Sequence, residues 1–425
     1  MPADGIDAAR AARAELDAVI EEIRALDGFE HFLAPPTFET VATAARTCPL
    51  IYFAAADQGG LALVVRGDDV VAVDLDSLTT DALRERVETY QQHYTAHVEN
   101  PDDDVTAIRW TDELDAVTAW LWDHAVGPVL AELVDDTHAV FVAGGLLGLL
   151  PLHAAWTAGP HGGRRYVLDR LAISYSPNSR ALTVARDLAA RTTPGRLLTV
   201  VDPDNAAAPA LPYARVEAAG VRAALGIQAG RDLVGRDAMP LAFSREASGS
   251  DVLLLACHGR ADLAEPLRSG LLLAGRPVTL REIMEMQLRV RLAVLSACET
   301  ALPGTDLPDE VIGLPTGLLQ AGVAGVIASL WAVPDRATAM LVVEFARRWR
   351  RDPSDPAEAL RATQCWMRDA TNRQKVEHWR RARVEAPTVP DHVVDEFVRP
   401  LLAAEPDAQD NATPAAWAAF AHLGA

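Results

Sequence analysis

Beyond residue 195, short unbroken apolar runs alternate with segments of helical periodicity, and this alternation limits the architecture more than any other feature of the chain. The runs 197–201, 252–256, 292–295 and 326–330 are four or five residues long and almost free of polar side chains. Strands read this way when both faces are buried. Segments 213–225, 238–247, 279–286, 309–321 and 335–351 between and after them have helical spacing. The pattern predicts a mostly parallel sheet with helices on both faces, an α/β/α sandwich.

The first part of the chain is less regular. Residues 7–27 predict an amphipathic helix with Leu16, Val19, Ile20, Ile23 and Leu26 on one side, ended by Pro35-Pro36. Runs 61–66 and 70–75 around Gly67-Asp68-Asp69 predict a β-hairpin. Helices are expected at 78–98 and 111–134, on either side of an acidic loop at 100–104, and strands at 139–143 and 171–175. The segment Thr192-Thr193-Pro194-Gly195 reads as a linker. Two parts are therefore expected: 1–193, smaller and carrying the hairpin, and 194–425. A chain of 425 residues, half of them hydrophobic, has ample material for both.

Charge removes some functions. The formal net charge of −20 disfavours a nucleic-acid partner held by a basic surface, and likewise an anionic membrane. The apolar runs 139–156 and 318–333 are short and broken or followed by Gly and Pro, so buried strands fit them better than membrane spans. No secretory signal opens the sequence. The four cysteines, Cys48, Cys257, Cys298 and Cys365, form no CxxC pair or zinc-finger spacing. Reduced thiols, a cytoplasmic location and no structural metal are the expectation, and no EF-hand spacing marks a calcium site.

Open α/β sheets gather their chemistry at the carboxyl ends of parallel strands. Two such ends stand out. Run 252–256 leads into Cys257, His258 and Gly259, and run 292–295 leads through Ser296 and Ala297 to Cys298. If the strands are neighbours, His258 and Cys298 leave the sheet at the same edge. A thiol beside an imidazole is a nucleophile–base pair, because the thiolate is the reactive species. Gly259 lets a carbonyl approach the backbone, and its N–H with that of Cys298 would hold an oxyanion. Taken singly, a His at a strand end is more often structural, and a Cys after an apolar strand is more often a small buried hydrophobe. Cys257 immediately precedes His258, so its side chain should take the opposite face and lie in the core. Cys365 and Cys48 read as packing residues.

The segments Leu253-Leu-Leu-Ala-Cys-His-Gly259, Leu295-Ser-Ala-Cys-Glu-Thr300, Gly313-Leu314, Ala321-Gly322 and Ala328-Ser-Leu-Trp-Ala-Val-Pro-Asp335 together resemble the CHAT family of caspase-like proteases. So do Leu149-Leu-Pro-Leu-His153, Tyr175-Ser-Pro-Asn178 and the ending Trp417-Ala-Ala-Phe420. The resemblance implies a caspase-like three-layer sandwich preceded by a degenerate caspase-like half. It implies peptide-bond hydrolysis by a His258–Cys298 dyad without metal or organic cofactor. It also implies a protein or peptide substrate and a place in a defence or cell-death circuit, with the chain working alone, controlled by a separate protein, or forming part of a longer one. Large members carry helical repeats, and this chain has none.

Substrate contacts follow from the same resemblance. A substrate strand would lie along Ser329 and Leu330, with Trp331 shaping a pocket or else packing the core edge. The pocket for the residue before the cut would involve Asp202 with Asp204, and Ser296, with Glu299 and Asp335 as lesser acidic candidates. Asp202 in that role predicts cleavage after Arg, whereas Asp202 as a turn residue predicts an aliphatic preference with Leu330 and Trp331 as walls. Residues 303–309 are expected to be poorly ordered without ligand, and the isolated chain weakly active. The rival expectations are a silent module of the same fold that binds peptides, and a thiol acyltransferase or another cysteine hydrolase.

Overall fold

The computed structural model describes residues 3–425 apart from 28, 30, 31, 33, 35, 161, 207, 261, 263, 264, 297–312, 386 and 387, with backbone alone at 3–10 and 266. Cys298, Glu299 and the expected loop at 303–309 lie outside the described residues.

Eleven strands form one sheet. In chain order they are β1 (Leu50–Ala56), β2 (Gly59–Arg66), β3 (Asp69–Leu75), β4 (His138–Ala143), β5 (Ala172–Tyr175), β6 (Arg196–Val201), β7 (Ala229–Val234), β8 (Val252–Ala256), β9 (Val290–Leu295), β10 (Val323–Ser329) and β11 (Phe420–Gly424). Their spatial order is β3-β2-β1-β4-β5-β11-β10-β9-β8-β6-β7. Every strand from the first part lies on one side of β11, and those of the second part lie on the other. β11 is parallel to β5 but antiparallel to β10. The two sets of parallel strands therefore point in opposite directions, and their carboxyl ends open on opposite rims.

The expected hairpin is present, with Arg66 opposite Asp69 and Gly67 at φ 52°, the left-handed conformation that glycine adopts without steric cost. Strands β6, β8, β9 and β10 are buried almost end to end, as the apolar runs predict. Successive residues serve different cores: Leu254 and Ala256 face one, Leu253, Leu255 and Cys257 the other. The first core includes helices α1 (Ala214–Leu225) and α2 (Asp335–Trp349), and the second includes the short helix Leu314–Ala321. The sandwich is thus three-layered. The N-terminal helix Ala3–Arg24 is amphipathic in sequence, but Leu16 and Val19 are exposed. Among the described residues, no helix is long and apolar enough to cross a membrane.

Candidate active site

β8 and β9 are parallel neighbours with Leu255 opposite Leu295, and the Ser296 N–H continues the ladder to the Leu255 carbonyl at 3.2 Å. His258 and Cys298 are each the third residue beyond that registered pair. Two buried strands in register therefore deliver both chain segments to one rim, where parallel strands leave backbone groups free for a ligand.

His258 is half-buried. Its Nε2 lies 2.9 Å from the Pro209 carbonyl oxygen. A carbonyl can only accept, so Nε2 carries the proton and the neutral ring keeps its lone pair on Nδ1. That tautomer is the one a general base needs if Nδ1 faces the thiol. The loop after β6 that bears Pro209 is built by prolines at 203, 209 and 212 and by Asp202. Sequence reasoning missed this third group, since any residue can supply a carbonyl.

Gly259 begins a short strand with Arg260 that pairs with Gly270–Leu272, and the preceding His258 carbonyl accepts from Leu272 N–H at 2.8 Å. The imidazole-bearing turn is thereby braced from both sides. Cys257 is fully buried, and burial, reinforced by nearby Glu217, pushes its thiol up to about 12. It is a core residue, on the face opposite His258, as strand alternation requires. Cys365 and Cys48 are partly buried with thiols also raised by burial.

Asp335 lies near His258, and Glu217 and Asp202 lie near Asp335. Asp335, the first residue of α2, accepts from the Tyr213 N–H at 2.7 Å. Burial raises its carboxyl, the Tyr213 bond opposes this, Asp202 raises it further and His258 lowers it. Glu217, in the first turn of α1, is wholly buried and accepts from Ser296 Oγ at 2.6 Å. Burial pushes it up to about 8, with Ser296 opposing and Asp335 adding to the rise. An acid in an amphipathic helix reads as a surface residue, and the sequence carries no signal against that.

The expected substrate residues fall differently. The Asp202 carboxylate accepts from the Leu211 N–H at 2.9 Å and closes its own loop. This is the contact expected of Asp202 as a turn residue. Ser296 is half-buried with its hydroxyl given to Glu217. Ser329 is buried, and the half-buried Leu330 has its N–H bonded to the Ala419 carbonyl at 2.8 Å. Trp331 has no exposed surface. Its Nε1 donates to the Ala415 carbonyl and its ring meets Trp110 edge-on at 6.0 Å, so it packs the core edge. A cavity of about 550 Å³ lies elsewhere, between Arg186, Leu225, Arg291 and Trp349, and includes no residue of this site. Among the described residues no group of His, Cys, Asp and Glu has the arrangement of a metal site.

Comparison with known proteins bears on the family and the fold. No curated protein matches the chain in sequence. Among solved structures, separase of Saccharomyces cerevisiae in its separase–securin complex is similar with a TM-score of 0.52 at 9% identity, over 76% of this chain and 29% of that one. A second structure of that complex gives 0.51 at 11% identity, again over 76% and 29%. The Arg-specific cysteine proteinase gingipain R follows at 0.37 and 10% identity, over 74% of this chain and 67% of that one. The chain thus spans less than a third of the separase it matches, and the likeness is one of fold. The CHAT domain model matches residues 115–425, most of the chain. That match and the caspase-like sandwich place the protein in the CHAT-domain family of caspase-like cysteine proteases.

Proposed function

We propose that the protein is a cysteine endopeptidase in which Cys298 is the nucleophile and His258 the base. The observation that carries this reading is the registered pair Leu255–Leu295 near the ends of parallel neighbouring strands, three residues before His258 and Cys298 in sequence. The Nε2 bond to Pro209 supports it, because it leaves Nδ1 as the proton acceptor. His258 Nδ1 takes the thiol proton, and the thiolate attacks the scissile carbonyl carbon. The N–H groups of Gly259 and Cys298 receive the oxyanion. The imidazolium gives its proton to the leaving amine as the C–N bond breaks. Water, deprotonated by His258, then attacks the acyl-enzyme, and the thiol is restored. Cys257 takes no part, being buried in the opposite core with a thiol that stays protonated.

With Asp202 closing its own loop, an aliphatic residue before the cut is favoured over Arg, with Leu330 as a wall. The separase it resembles in fold was solved with securin, and control by a separate protein is proposed here by that analogy.

The test is labelling by a thiol-directed peptide electrophile together with peptide cleavage. Cys298→Ala and His258→Ala should abolish both, and Cys257→Ser should keep most of each. A well-folded wild type that neither labels nor cleaves would instead indicate a peptide-binding module. Activity that survives Cys298→Ala and disappears with Cys257→Ser would reverse the assignment.

A further inference from the structure

Glu217 is an expensive residue at its position. Its carboxyl is wholly buried, bonded to Ser296 just past β9 and close enough to Asp335 of α2, and to Cys257 across the sheet, to raise the Cys257 thiol and be raised by Asp335. Around it α1 is packed with apolar residues, among them Ala218, Val221 and Ala224. A leucine would fill such a site without any desolvation cost. What the carboxyl adds is one directed contact, the 2.6 Å bond from Ser296 Oγ. Ser296 is the first residue past β9, and Cys298 follows two residues later. Its backbone is also fixed, through Ser296 N–H to Leu255 O. Main-chain and side-chain bonds thus hold one residue from two directions, β8 and α1.

We infer that Glu217 is a positioning residue for the dyad: by holding the Ser296 side chain from α1 it fixes the strand end from which the chain leads to Cys298. The inference rests on the proposed dyad. It requires the carboxyl in its neutral, undissociated form, since an ionised one would sit buried beside Asp335 with no cation among the groups facing it. Burial supports this by raising the group to about 8. Glutamine has nearly the same shape, and its amide oxygen can accept the Ser296 hydroxyl at any pH.

The experiment compares Glu217→Leu, Ser296→Ala, the double variant and Glu217→Gln with wild type, reading kcat and KM for peptide cleavage, Cys298 labelling rate and thermal stability. Displacement of a nucleophile by a fraction of an ångström predicts a fall in kcat of about tenfold or more for Glu217→Leu and for Ser296→Ala, with KM little changed. The double variant should be no slower than the slower single one, because both remove the same contact. Glu217→Gln should keep most of the rate at pH 7. The wild-type rate should fall above about pH 8 in a limb that Glu217→Gln lacks. If Glu217→Leu fails to fold, Ser296→Ala and the pH limb still decide. Full kcat in both single variants, or the same alkaline limb in Glu217→Gln, overturns the inference and leaves the dyad standing. A folded wild type without cleavage or labelling overturns the dyad and this inference together.

Discussion

Asp202 adopts φ 44°, alone among the described non-glycine residues in having a positive φ. Aspartate and asparagine tolerate this left-handed region because their short polar side chains bond locally, as Asp202 does with Leu211 N–H. Asp202→Asn keeps both properties and should change stability by less than about 0.5 kcal/mol, whereas Asp202→Ala should cost about 1–3 kcal/mol in chemical denaturation. Neither should alter the residue preferred before the cut, and a peptide-library profile that moved from Arg in Asp202→Asn would restore the pocket role. Glu217 gives a stability signature as well. Its folded pKa is raised above the ordinary 4.5, so the stability it contributes is whole below about pH 4.5 and is lost as pH rises toward 8. Glu217→Gln should flatten that decline and be more stable than wild type near pH 8, by on the order of a few kcal/mol. At this scale legibility was uneven. The proposed dyad, His258 and Cys298, is readable because the side chains themselves would be the chemistry. Pro209 acts through its carbonyl and Glu217 through a partner 79 residues away, and neither leaves a local pattern.

Among the elements, α1 and α2 cross where Gly220 has no side chain. A Cβ there would lie 2.5 Å from Val343 Cγ2 and 3.2 Å from Val393 Cγ1. Alanine is the better helix former by about 1 kcal/mol, yet Gly220→Ala should destabilise by about 1–3 kcal/mol because the helices must part. Since Glu217 lies one turn away on α1, the same change should also slow peptide cleavage. Thermal melts and kcat measured on one preparation check both. The catalytic-side strands were legible because burial on both faces makes them uniformly apolar. β7 was missed because it is an edge strand, with Ala229, Gly230, Arg231 and Asp232 exposed. β1 was missed because its run ends in three alanines, which signal neither strand nor helix. The helix expected at 335–351 ends at Trp349, within the usual uncertainty of a frayed last turn.

Over the whole molecule, the two sets of strands meet at β5 and β11, and two uncharged histidines tie that seam. His153 Nε2 donates to the Ala418 carbonyl while Nδ1 meets the Tyr175 hydroxyl, at 2.8 and 2.9 Å. His422 Nδ1 shares a 2.8 Å bond with Ser174 Oγ. Burial lowers both, to about 4 and about 3. Histidines held below their ordinary 6.5 favour the unfolded chain once it takes up protons, so stability should fall as pH drops from about 6.5 toward 4. Further ties cross between the parts: Trp110 on Trp331, and the Ala332 N–H donating to the Tyr94 hydroxyl at 2.9 Å. Calorimetry at pH 7 should therefore record one cooperative transition for both parts, and two separated transitions would contradict this. The sequence suggested a division near residue 193 from its linker, but could not show that a strand more than two hundred residues later closes the gap. That strand also sets an order of events during synthesis. β11 is the last of the eleven to leave the ribosome, and its neighbours β5 and β10 emerge about 245 and 95 residues earlier. Until residues 420–424 arrive, two half-sheets each present an unpaired edge, so a nascent chain has its His258 and Cys298 segments long before it has a finished sheet to hold them.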